Sequence, residues 1–202
     1  PISFGSAQIR VAYSGAFNES LSGLYRVRDG GEAYVFTQLE PSDARKMFPC
    51  FDEPGFKVPF DLKVTTPQGN TVVANTRELS RQPADDGRSV TFAFAPTAPL
   101  PTYLVALGVG PLEIKEGERS PVPIRVITTK GKSHLGDLAL DATAQMTKLL
   151  GAYFDRPYPY DKLDILAVPE FGYGAMENAG LITFREESIL LDPASASTEA
   201  RR

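Results

Sequence analysis

The chain is 202 residues long, 42% hydrophobic and 23% charged, with a formal net charge of -4, ordinary values for a soluble globular protein of one large or two small domains. Lys and Arg are scattered, not gathered in a stripe, which argues against nucleic acid or an anionic membrane surface as partner. No apolar run approaches the roughly 20 residues of a membrane span, Pro1-Ile2-Ser3-Phe4 lacks the features of a secretory signal, and the lone Cys50 excludes an intrachain disulfide without identifying a compartment.

From Gln8 to about Lys115 the pattern is strand and turn. Ile9, Val11 and Tyr13 alternate with polar neighbours, the period of a half-buried strand. Similar runs occur at residues 24–27, 33–36, 60–65, 71–74, 90–94 and 103–109. Asp29-Gly30-Gly31, Gln68-Gly69-Asn70 and Asp85-Asp86-Gly87 read as hairpin turns. The polar residues 116–120, ahead of Pro121 and Pro123, mark the expected boundary between an all-β unit, residues 1–118, and a mixed unit, residues 119–202. In the second unit a strand is expected at residues 124–128. Leu135, Leu138, Ala139, Ala142, Met146, Leu149, Leu150 and Tyr153 then recur at helical steps, one face of an amphipathic helix, which Pro157 and Pro159 end. Strands follow at residues 163–168, 181–184 and 188–191, and Ser197-Thr198-Glu199 reads as a helix start. The fold class is α+β.

Two stretches carry chemistry. The first is the loop at residues 169–180, with Gly174-Ala175-Met176-Glu177-Asn178 at its centre, set between two strand-like runs. Glycine lets backbone approach a ligand closely, and function concentrates in loops held by rigid strands. A given five-residue string arises by chance in a chain of this length on the order of once in 10^4 sequences. The second stretch is Gln38-Leu39-Glu40-Pro41, followed by Asp43-Ala44-Arg45 and Phe48-Pro49-Cys50-Phe51-Asp52-Glu53-Pro54. Together, in this order, they resemble the M1 family of zinc aminopeptidases: its Gly-Ala-Met-Glu-Asn exopeptidase motif and its N-terminal-domain signature. Weaker resemblance extends from about Ile9 to the end of the chain.

The resemblance implies the later part of a saddle-like antiparallel β domain, followed by the opening strands and helix of a thermolysin-like catalytic domain. It implies that Glu177 and Glu40 anchor the free N-terminal ammonium of a peptide substrate. At ~4 Å and an effective dielectric of ~20, one such pair is worth about 4 kcal/mol before desolvation. Gln38 matches the residue lining the pocket for the first side chain, and Gly174 and Ala175 match positions whose backbone pairs with the extended substrate. Met176 and Asn178 complete the substrate-binding set. Read by residue type alone, both glutamates could be solvated surface groups, Gln38 a cross-strand partner, Gly174 a tight-turn residue and Asn178 a loop cap. The resemblance further suggests a cis bond at Glu40–Pro41, where the trans preference is only about 0.5–1 kcal/mol.

Metal is the exception. A catalytic zinc takes three protein ligands, and the chain has one histidine, His134, and no His-Glu-x-x-His pair. The resemblance implies zinc in the parent protein, with ligands beyond Arg202; this chain is expected to hold no metal, no catalytic residue and no activity alone. Asp43, Arg45, Asp52 and Glu53 are expected to form loop-fixing ion pairs, and Cys50 to pack as a small hydrophobe. Ala179 stands where many members have Trp. Open sheet edges would favour pairing with another chain. The alternative reading is a non-catalytic member of the same fold that binds peptides or partner proteins.

Overall fold

The computed structural model describes residue 5 and residues 7–85, 87–119 and 121–192; the helix start expected at Ser197 lies outside them, as does Asp86 of the third turn. Strands β1 (Gly23–Asp29) and β2 (Glu32–Gln38) form a hairpin. Its turn residues Gly30 and Gly31 have φ of 58° and 85°, the positive values that suit the twist of the flanking strands. β2 pairs antiparallel with β7 (Leu107–Gly110) and β7 with β4 (Thr71–Ala74), so the order is β1-β2-β7-β4.

Side-chain alternation decides what this sheet packs against. Val72, Ala74, Leu107 and Val109 meet Val90, Phe92 and Phe94 of a three-stranded sheet made of β3 (Lys63–Pro67), β6 (Ser89–Phe94) and β5 (Glu78–Pro83). On the opposite face Tyr25, Val27, Tyr34 and Phe36 meet Ile127, Leu166, Val168 and Leu181. The latter belong to a five-stranded sheet. Its centre is β9 (Pro123–Thr128), β10 (Leu163–Val168) and β12 (Leu181–Arg185), paired parallel. β8 (Glu113–Arg119) and the two-residue β11 (Ala175–Met176) close its edges antiparallel. All of β10 is buried, as a parallel strand covered on both faces must be. Leu166 and Val168 face the first sheet, while Leu163 and Ile165 face α1 (Asp137–Tyr153), the crossover between β9 and β10.

Several expectations change. Residues 7–17 form no strand: Ile9, Val11 and Tyr13 are 83%, 55% and 59% exposed, and the segment's tie to the sheet is an isolated Asn18–Tyr25 bridge. Alternation has no force without a strand to pair with. The strand expected at 60–65 starts at Lys63, because Phe60 instead packs edge-on against Phe48. In the run at 103–109, Thr102–Leu104 is a 3-10 turn and the strand starts at Leu107. The turn at Gly69 joins strands of two different sheets and closes no hairpin. Residues 186–189 form a short helix, α2 (Glu186–Ile189), where a strand was expected slightly later; Lys132 Nζ holds Glu186 at 2.8 Å in its first turn. β5 and β8 arise from polar runs with little strand signal; β8 takes in most of the expected linker at 116–120. The apolar face of α1 is only partly covered. Ala139 is buried, but Met146, Leu149, Leu150 and Tyr153 are exposed beside a groove of about 760 Å³ over Leu163, Ile165 and Phe184.

Leu166 is fully buried and sits against Gly108 between the two sheets. Leu166→Ala is expected to destabilise the chain by about 2–5 kcal/mol, read from urea denaturation; a loss under about 1 kcal/mol would show that the inter-sheet core is not a packed one.

Candidate functional site

The loop at residues 169–180 leaves the carboxyl end of β10, the side of such sheets on which ligands bind. It is pinned along its length. Phe171 is buried in the inter-sheet core, and Arg185 Nε donates to its carbonyl at 3.2 Å. Arg185 N donates to Gly174 O at 3.0 Å, so Ala175, opposite Phe184, is the non-hydrogen-bonded pair of the β11–β12 ladder. Its N–H and C=O therefore point to the outer edge of the sheet, while the Gly174 carbonyl is engaged inward. Met176 is 1% exposed and packs in the core, which gives its side chain a structural place. Glu177 is exposed between two buried neighbours. Asn178, 3% exposed, accepts from Leu181 N at 3.1 Å and reaches Thr183 Oγ1 at 3.4 Å, the loop-capping role.

The loop ends on the β unit. Asn75 Nδ2 donates to Ala179 O (2.9 Å) and Leu104 O (2.8 Å), and its Oδ1 accepts from Ala106 N (2.8 Å). Lys162 Nζ donates to Gly180 O (2.7 Å), Ala74 O (2.6 Å) and Asp164 Oδ2 (2.7 Å), and Arg125 Nε donates to Asp164 Oδ1 at 2.7 Å. Burial pulls the Lys162 ammonium below the usual lysine range, with the Asp164 carboxylate opposing it. Gly180 has φ of 71°, and a Cβ there would lie 2.2 Å from Asn75 O. At the other end of the interface Lys132 bridges Asp29 of β1 and Glu186 of α2, both at 2.8 Å. Sequence reading missed Lys162, Asp164, Asn75 and Arg185. The signal for the first two was there: a Lys-x-Asp pair opening an apolar run implies buried charges that need partners.

Gln38 stands on the same face of β2 as Phe36, directed at the layer that holds Phe171 and Met176. It is 2% exposed, and neither its Nε2 nor its Oε1 has a partner among the described residues. A buried amide left so costs about 1–3 kcal/mol. The loop lies alongside: a Cβ on Gly172 would be 3.8 Å from Leu21 Cβ, just before β1. Glu40 is exposed beyond the end of β2, and the Glu40–Pro41 bond is cis. The following turn is fixed by Asp52, which accepts from Arg45 N (3.1 Å), Arg45 Nε (3.0 Å) and Thr102 Oγ1 (2.6 Å). Burial would push its carboxyl up, but the Thr102 and Arg45 hydrogen bonds prevail and hold it below the usual range. Cys50 packs beside Leu39 and Val105, and burial raises its thiol. His134 is exposed in a 3-10 turn. Among the described residues no group of three or more His, Cys, Asp or Glu is placed to hold a metal.

The sheets and the pinned loop at the carboxyl end of β10 give the geometry, and comparison with known proteins gives the family. Residues 2–104 match the Peptidase M1 N-terminal domain and residues 138–202 the Peptidase family M1 domain. The chain belongs to peptidase family M1. It is 38% identical to Aminopeptidase 2 of Candida albicans, with all of this chain and 22% of that protein covered. It is 37% identical to Puromycin-sensitive aminopeptidase of Caenorhabditis elegans (96% and 21% covered) and to Probable aminopeptidase 1 of Sulfurisphaera tokodaii (95% and 24%). The chain thus spans about a fifth to a quarter of the length of these relatives.

Two outcomes are expected. Gly180→Ala combines a strained φ with a clash on backbone and should cost at least about 3 kcal/mol, whereas Gly174→Ala, with open space around it, should stay within about 0.5 kcal/mol; thermal melts compare the two. Asp52 has a folded pKa below its unfolded value, so its stabilisation is present above about pH 3.9 and is lost as pH falls through the depressed value. Asp52→Asn should lower stability at pH 7 and flatten the acid limb of the stability–pH curve; an unchanged limb would remove Asp52 from the account.

Proposed function

We propose that this chain is the substrate-recognition part of a zinc metallo-aminopeptidase that removes N-terminal residues from peptides. One observation carries the reading: Glu177 is exposed on a loop pinned on both sides, and Gln38 on the facing β unit holds a buried amide with no partner among the described residues. Glu177, with Glu40 from the turn beyond β2, would take the free ammonium of the substrate. A blocked N-terminus leaves that carboxylate pair unmatched, which is how such a site discriminates. Gln38 would meet the first side chain. The outward N–H and C=O of Ala175 would add the substrate backbone as a further strand at the sheet edge, with Gly174 shaping the turn that presents them. Asn178 and Met176 hold Glu177 in place from either side.

Zinc belongs to this reading through the family. Its ligands, the general base and any oxyanion-stabilising group would come from sequence outside this chain, which on its own would be inactive. The chain would then comprise the later part of a saddle-like β domain and the opening of a thermolysin-like catalytic domain. The change of sheet between β7 and β8 sits a few residues before the 118/119 division. The exposed stripe of α1 and its groove would be covered by the remainder of the catalytic domain.

In the full-length protein, Glu177→Gln should lower kcat/KM for a peptide with a free N-terminus by about 10- to 150-fold, the weight of a charge-assisted hydrogen bond, and leave any cleavage of the N-acetylated peptide unchanged. Equal cleavage of free and acetylated peptides by the wild-type protein would defeat the reading.

A further inference from the structure

Lys162 is a buried charge that the reading above leaves without a role. It is 4% exposed, and its three N–H donors are all engaged: by Ala74 O at the end of β4, by Gly180 O at the end of the motif loop and by Asp164 on β10. An apolar side chain of similar volume would fill such a place without the desolvation cost of an ion. What the ammonium adds is direction. It joins one carbonyl of the β unit to one carbonyl of the loop at fixed distance, and the Asp164 carboxylate that supports it is itself held by Arg125. Asn75, next to Ala74 in sequence, ties the adjacent Ala179 to the same β unit.

We propose that Lys162 is a positioning residue: it sets the end of the motif loop, and so Glu177 three residues earlier, relative to the β unit that carries Gln38 and Glu40. The consequence for catalysis rests on the aminopeptidase reading; the lock itself does not. An amine site divided between two units has a width fixed by the contact between them, and a displacement of about 1 Å at such a site costs on the order of 10²-fold in rate.

Lys162→Met keeps the stem, removes the three donors and leaves Asp164 paired with Arg125. In the full-length protein it should reduce the preference for free over N-acetylated peptide by at least about tenfold, mainly through KM. Loss of stability alone would lower both substrates together and leave their ratio intact, so an unchanged ratio in a folded Lys162→Met overturns the proposal. Should the wild-type protein show no preference at all, the aminopeptidase reading fails, and hydrogen exchange decides the lock. Lys162→Met should then speed exchange of the Leu181 amide by at least about tenfold while Phe36 is unaffected; equal rates would overturn it. If Lys162→Met does not fold, exchange in the wild type decides: the Leu181 and Ala106 amides should share one protection, and a Leu181 amide that exchanges ahead of Ala106 sinks the lock.

Discussion

An ammonium placed between two sheets obliges its surroundings to supply an acceptor for each of its three protons, because an unpaired buried charge costs several kcal/mol. Meeting that demand for Lys162 shapes much of this chain. Asp164 must be buried beside it, near the start of an otherwise apolar parallel strand, and its second oxygen then needs Arg125 from β9. The remaining acceptors are backbone carbonyls, one at the end of β4 and one at the end of the motif loop. Apolar packing between Phe36, Leu166 and their neighbours is non-directional and would tolerate small slides of one sheet over the other. The carbonyl pair does not. Gly180 follows from the same demand, since the close approach that brings its carbonyl to Lys162 also brings Asn75 O to where a Cβ would stand.

The loop's outward groups are those its internal bonds leave over. Arg185 takes the carbonyls of Phe171 and Gly174, Asn75 takes that of Ala179, and Lys162 takes that of Gly180. Left facing out are the Glu177 carboxylate, the Tyr173 ring and the peptide groups of Ala175. A loop with its structural hydrogen bonds satisfied from behind can present polar groups without collapsing onto them, which is what preorganised recognition requires. Gln38 is the complementary case. Its amide is buried with no partner among the described residues, and a buried amide gains from any group able to pair with it.

The sequence announced the layers better than the joints. β1, β4 and β6 were legible because their apolar period matches a covered face, β10 as a continuous apolar run, α1 by its helical period although much of that face is exposed, and the Gly30–Gly31 hairpin because both residues have positive φ. The segment at Ile9–Tyr13 had the period without a strand to pair with. β5 and β8 had partners without the period, since a polar edge strand draws its stability from backbone pairing that leaves little trace in composition. The motif residues were visible as a string and by resemblance. The Lys-x-Asp pair signalled that Lys162 needs buried partners but not which ones, because Asn75 and Lys162 act through backbone carbonyls remote in sequence.

The two faces of the second unit are finished to different degrees, and the difference bears on how the site is built. The face toward the β unit is covered: its core residues are buried, Lys162 is paired with Asp164, and the loop is fastened to both sheets. The face toward α1 is not, with Met146, Leu149, Leu150, Tyr153 and Phe154 exposed along a groove of about 760 Å³. The fastenings of the motif loop run through Asn75, Lys162 and Arg185, and none of them involves α1. Anything laid over that helix face would reach the loop through β10, buried along its whole length, and its parallel neighbour β12, whose Ile182 and Phe184 are half-buried in the groove. Close-packed strands transmit strain, so a load on that face would be borne in part by the interface contacts of Lys162 and Asn75 that fasten the loop to the β unit.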